Sequence, residues 1–182
     1  MKNGKRKTEN GRMSVASRHA LRLFLFFLIP FSFLLSPASA QPEGPDTVPP
    51  PAKYLAKDIK EKLLAENDEK KRVILALSLM DSSLKSSEGQ ITKETWDSAF
   101  RELGAFHFIM DNTLDFLIRR DNGSGRIRDA FKRYEIGLRA FAPRLELIRR
   151  DLPSRFEPYV FRLIKNVREN RAKAIEPQFG GN

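Results

Sequence analysis

Two apolar seams constrain this chain more than any other feature. The first runs Trp96, Phe100, Leu103, His107, Met110, Leu114, Leu117, and the second Ile127, Phe131, Tyr134, Leu138, Phe141, Leu145, Ile148. Both advance in steps of 4-3-4-3-4-3. That spacing keeps one stripe of an α-helix turned inward, whereas in a strand every step of three changes face. The turn "DNGSG" at residues 121–125 separates the two. Two helices of about 25 residues with matched seams and a short loop predict an antiparallel pair at a shallow angle.

The flanking sequence is helical as well. Leu55, Ile59 and Leu63 share a face over residues 52–65, and the "END" segment at 66–68 then predicts a break. Val73, Leu77, Met80 and Leu84 mark a second helix over residues 69–87. Thr92 is placed to cap the third, with Ile91 and Trp96 as a hydrophobic staple. Pro143 predicts a kink or interruption of the fourth near Ala142. Ser154 and Glu157 suggest a capping box for the last helix, with Pro158 as an alternative start signal, and Phe156, Val160, Leu163 and Val167 form its apolar face. The expected fold is all-α: an antiparallel helical bundle of four to five helices over residues 52–176, with a flexible tail at 177–182. The two seams are offset by 31 residues, position for position. A short stack of helical-hairpin repeats is therefore the alternative, although about three units are normally needed for one.

The first forty residues read as a leader. Residues 1–22 carry seven cations and one acid, and "LFLFFLIPFSFLL" follows at 23–35. That apolar run spans only about 20 Å as a helix, short of the ~30 Å bilayer core. "SPASA" then supplies small residues, with cleavage expected between Ala40 and Gln41. A secretory signal peptide is the expected reading, and an uncleaved membrane anchor is the alternative. Residues 41–51, "QPEGPDTVPPP", read as a Pro-rich disordered linker. With the leader removed, no further stretch is apolar enough to span a membrane, so export to the periplasm or medium of a bacterium is expected. The chain has no cysteine. Disulfides and thiolate chemistry are excluded, and the core alone must hold the fold.

The formal charge of +10 falls to +4 without the leader, and residues 121–182 carry +6 of charge against −2 on residues 41–120. The antiparallel arrangement would gather Arg119, Arg120, Arg126, Arg128, Arg168, Arg171 and Lys173 at one pole. Asp121, Asp129, Glu169 and Glu176 would lie nearby. Such a pole could dock an anion. "LIRRD" occurs twice, at residues 117–121 and 147–151, each time before helix breakers. Arginines in a last turn face the negative end of the helix dipole, so the repetition reads as helix-end chemistry rather than a shared site.

Catalytic groupings are not apparent. Outside the leader His107 is the one histidine, on an apolar seam, and reads as a satisfied core residue more readily than as a ligand or base. No metal-ligand spacing, nucleophile elbow or phosphate loop is present. Asp111, Asp115 and Glu135 read as surface pairing partners. Phe106, Phe108 and Phe116 do not share one stripe, which makes the third helix central or leaves it a groove for a partner. The expected function is a structural or partner-binding role in the cell envelope, without catalysis or cofactor, through a protein partner. The alternative is a polyanion-binding module that uses the basic pole. Its ligand would be an envelope polymer, an anionic lipid headgroup or nucleic acid.

Overall fold

The structure is a computed structural model that describes residues 47–179. The leader, the Ala40–Gln41 junction, residues 41–46 and residues 180–182 lie outside the described residues. Within them the chain is all-α, as the periodicity predicts. The helices are α1 (Lys57–Ala65), α2 (Glu69–Thr92), α3 (Trp96–Arg120), α4 (Gly125–Asp151) and α5 (Glu157–Phe179), and a 3-10 turn at Ser154–Phe156 precedes α5.

Local chemistry explains most of the boundaries. Asp68 caps α2 by accepting from the Lys71 amide at 2.9 Å. Ser124 caps α4. Gly123 takes φ +69 in the α3–α4 turn, a conformation with little cost only for glycine.

Several expectations are corrected. The first helix starts at Lys57, not residue 52, and residues 47–56 instead form a strap across the body. The Val48 amide donates to the Arg155 carbonyl at 3.1 Å, and Val48 packs against the core. The described end of the expected disordered linker is therefore docked. The second helix runs through Gly89 to Thr92, and the corner is made by Glu94, at φ 55. Thr92 is thus not the cap of α3; its hydroxyl donates to the Glu88 carbonyl at 3.1 Å. Pro143 does not interrupt α4. The Ser154–Glu157 capping box does not form, because Glu157 is turned to Arg149 while Pro158 sits in the first turn of α5. The last helix continues through Pro177 to Phe179, beyond the expected start of the tail.

The seams are buried as read, except that Trp96 is only half-buried. Their pairing differs from expectation. The broadest contacts join α2 to α3, α4 to α5 and α2 to α4, and few join α3 to α4 directly. The two seamed helices meet across the centre instead. The Tyr134 hydroxyl donates to the Met110 carbonyl at 2.8 Å, and the Phe106 and Phe141 rings meet edge-on at 5.6 Å. Seven-residue seams with large aromatics reach across such a distance, so matched periodicity does not by itself identify neighbours.

The two "LIRRD" copies end α3 and α4. They are not equivalent. Leu117 is buried and Ile118 half-exposed, whereas Leu147 is exposed and Ile148 buried. The seams are offset by 31 residues and the letters by 30, so the copies turn different residues inward.

Candidate functional site

The densest polar cluster joins α3, α5 and the strap. His107 is buried, with Nδ1 3.1 Å from the Tyr159 hydroxyl and Nε2 3.3 Å from Asp111 Oδ2. Asn166 Nδ2 lies 3.2 Å from the same Nε2. Asp111 also accepts from Lys53 Nζ at 2.5 Å and from Asn170 Nδ2 at 3.2 Å. The Tyr159 hydroxyl lies 3.4 Å from the Leu103 carbonyl. Burial pushes the Asp111 carboxyl up, but the bonds from His107 and Lys53 outweigh it and hold the group down at about 2. Burial pushes the Tyr159 phenol up, and the Asp111 charge adds to this. A phenol held protonated and an imidazole bonded on both nitrogens tie two helices and a strap together. Sequence reading placed Asp111 among surface pairs; it is a half-buried hub instead.

Buried Arg72 and Glu135 are likewise bonded between elements, as is the partly exposed Arg144. Arg72 is 2 % exposed, reaches the Leu63 and Glu66 carbonyls at the end of α1, donates to Asn112 at 2.5 Å and lies over the Phe116 ring. Glu135 is buried rather than superficial, and burial pushes its carboxyl up. Arg171 and Arg139 prevail and hold it below its ordinary value. Arg144 spans Asp81 at 2.6 Å and Glu88 at 2.8 Å, joining α2 to α4.

The seven expected pole cations do not gather as one free cluster. Arg120 and Arg126 do meet, but over Glu69, and Arg126 also bonds Asp68. Arg171 is held by Glu135 at 2.9 Å and Arg168 by Glu146 at 3.5 Å. Glu135 lies nine residues along α4 from Arg126, about 14 Å at helical rise. Arg119, Arg128 and Lys173 have no ion pair among the described residues; Lys173 lines a separate cleft with Asp111, Asp115 and Asn170. Sequence reasoning overlooked that α2 begins at this end and brings Asp68 and Glu69 with it.

A different basic site is present. A cleft of about 700 Å³ opens between the first halves of α2 and α4, lined by Lys70, Arg126, Lys132 and Arg133 with Asp68 and Asp129. Ala130 and Ile136 supply its apolar wall. Asp68 is spent on Arg126, whereas Lys70, Lys132 and Arg133 have no ion pair among the described residues. The signal in the sequence is limited to Lys70 and Arg126, in the first turns of two helices where the dipole disfavours them; Lys132 and Arg133 lie further along α4.

Among the described residues no group of three or more His, Asp or Glu is placed to hold a metal ion, and no helix is long and apolar enough to cross a membrane. No protein-family model, no curated protein and no solved structure matches this chain.

Proposed function

We propose that this chain is an exported, non-enzymatic helical bundle of the bacterial cell envelope that acts by binding a protein partner. The observation that carries this reading is the use made of the buried polar side chains. His107, Asp111 and Tyr159 join α3, α5 and the strap, Arg72 joins α1 to α2 and α3, and Glu135 joins α4 to α5. A polar interior committed to cross-links makes a rigid body whose surface is the part left to act. The basic, short and small-residue pattern of residues 1–40 supports export. Fractionation of the native host with N-terminal determination tests it: the expected product begins at Gln41 in the envelope or medium. A cytosolic chain that retains residues 1–40 would overturn export, and retention of those residues in the membrane fraction would favour the anchor. Replacement of His107 by Leu separates scaffold from enzyme, because a scaffold keeps its partner in envelope cross-linking while the bundle stays folded.

A second reading is anion binding, favoured by the unpaired Lys70, Lys132 and Arg133 around the α2–α4 cleft. Retention on heparin that falls steeply with added salt is the outcome it expects.

A further inference from the structure

We infer that the α2–α4 cleft is a binding site for a phosphate monoester whose organic part packs against Ala130 and Ile136. This rests on the anion-binding reading and narrows it from a surface to a site. Four cations and two carboxylates line the cleft, a surplus of two positive charges that matches a phosphate monoester at neutral pH. Its volume of about 700 Å³ suits a small organic ligand rather than a bare ion. Ile136 is 51 % exposed in the wall, so an apolar contact is available beside the charge.

The cations of the cleft are unevenly neutralised: Arg126 is met by Asp68 and Glu69, whereas Lys70, Lys132 and Arg133 have no ion pair among the described residues. The two helices run the same way here: Arg126 meets Asp68, and Arg144 meets Asp81 and Glu88 further along. Both positive dipole ends therefore lie at the cleft's end. The first turn of α4 holds no acid, and it carries Arg126 and Arg128; Lys70 stands in the first turn of α2, next to Glu69. A cation at a helix N-terminus is unfavourable, and an anion there is favourable. Elsewhere Arg144, Arg149 and Arg171 are neutralised in cross-links, while Arg119, Arg128, Arg150 and Arg162 are exposed with no ion pair among the described residues; the cleft differs from these in gathering its cations beside an apolar wall. Lys70 at the end of the cleft, and Lys132 and Arg133 about two turns along α4, are left to meet an added anion.

The test uses the chain as its host produces it, near 0.15 M salt, with two probes. One is glycerol 3-phosphate, followed by calorimetry. The other is phosphatidic-acid vesicles, followed by co-sedimentation against phosphatidylcholine vesicles. The variant Lys70→Gln/Lys132→Gln/Arg133→Gln is compared with Lys93→Gln/Arg150→Gln/Arg162→Gln. The second set removes three exposed cations that have no ion pair among the described residues, at the far end of α2, the far end of α4 and the start of α5. The cleft variant is expected to lose roughly tenfold or more in affinity, since each lost charge-assisted bond is worth about that factor, while the control stays within about twofold. Ile136→Asp, at an exposed position, should abolish binding with the helical circular dichroism unchanged. Binding of the soluble probe assigns a free phosphate ester, and binding of the vesicles alone assigns a lipid headgroup; either supports the cleft. No binding of either probe, or equal losses in the two triple variants, overturns it. If heparin retention persists in the cleft variant while probe binding is absent throughout, the site fails and the broader anion-binding reading stands.

Discussion

Two helix pairs in this molecule run in the same direction side by side, and they are held in different ways. The α3–α5 pair is joined by Phe100, tilted against Phe156 of the preceding turn at 4.8 Å and edge-on to Tyr159 at 5.0 Å, and by the Asp111–His107–Tyr159 chain. The α2–α4 pair is joined by partly exposed ion pairs at Arg126 and Arg144 around the contact of Gly137 with Leu77. Interactions removed from water are large and costly to break, whereas those in contact with it are small and screened. Breaking the aromatic contacts of the first pair should therefore cost more than breaking the ion pairs of the second, although the second pair meets over the broader area. The second can carry unpaired charge, and a cleft, at little cost.

Phe100→Ala attacks the dry pair directly and is expected to have the largest effect, about 3–5 kcal/mol in denaturant unfolding. Leu103→Ala, fully buried one turn on, should cost about 2–5 kcal/mol. Unchanged midpoints for both would show that this face is not core.

Removing the hub comes next. Asp111→Ala leaves the His107 ring and Asn170 short of an acceptor, and the expected cost is about 1–3 kcal/mol. Its pH dependence has a defined sign. The folded carboxyl titrates at about 2 and the unfolded one near its ordinary 3.8, so the unfolded chain binds the proton first. The stabilisation is present above the unfolded value and is lost as pH falls from there through 2. Unfolding midpoints measured in steps between pH 5 and 2 should fall less steeply for Asp111→Asn than for the wild type. Parallel profiles would break the assignment of Asp111 as hub.

Arg144→Gln probes the wet pair, and about 1 kcal/mol or less is expected, because its partners are more than a third exposed. Salt sharpens the contrast. The difference between Arg144→Gln and wild type should shrink in 1 M salt, where the Debye length is about 3 Å, while that of Phe100→Ala should persist. Equal salt sensitivity would remove the distinction between the two pairs.

The contrast also shows where the sequence was readable. The 3.5-residue seams located α3 and α4 because burial follows helical periodicity whichever neighbour is buried against. They could not say which helix that neighbour was, and α2–α3 and α4–α5 proved the broad contacts. Corners were misplaced where glycine chemistry was absent: Glu94 makes the α2–α3 turn with a positive φ, while Gly89 stays helical. Charge was the least readable property. Glu135 resembles any surface acid in an i,i+4 pair with Arg139, and only the approach of α5 makes it a buried partner of Arg171. Arg120 and Arg126 of the expected pole are neutralised for the same reason, since Asp68 and Glu69 reach them from a helix 50 or more residues away in sequence.

The two glycines that face other elements give the smallest net effects and the finest test. An alanine at Gly104 would press its Cβ against the Ala52 carbonyl, which is backbone, and meet Pro51 at 3.3 Å. An alanine at Gly137 would meet the end of the Leu77 side chain, which can turn aside. Both changes gain about 1 kcal/mol of helix propensity. At Gly137 that gain offsets the rearrangement of a half-buried leucine, and a midpoint within about 1 kcal/mol of wild type is expected. At Gly104 the backbone cannot yield without lifting the strap, so the gain goes to α3 and the loss falls on residues 47–56. Global unfolding should change little, while hydrogen exchange and proteolysis at the strap increase, because that segment opens independently of the core. An unchanged exchange pattern at residues 47–56 in Gly104→Ala would mean that the strap is not held against α3 by close approach, and that Lys53–Asp111, Val48–Arg155 and the buried Leu55 anchor it instead.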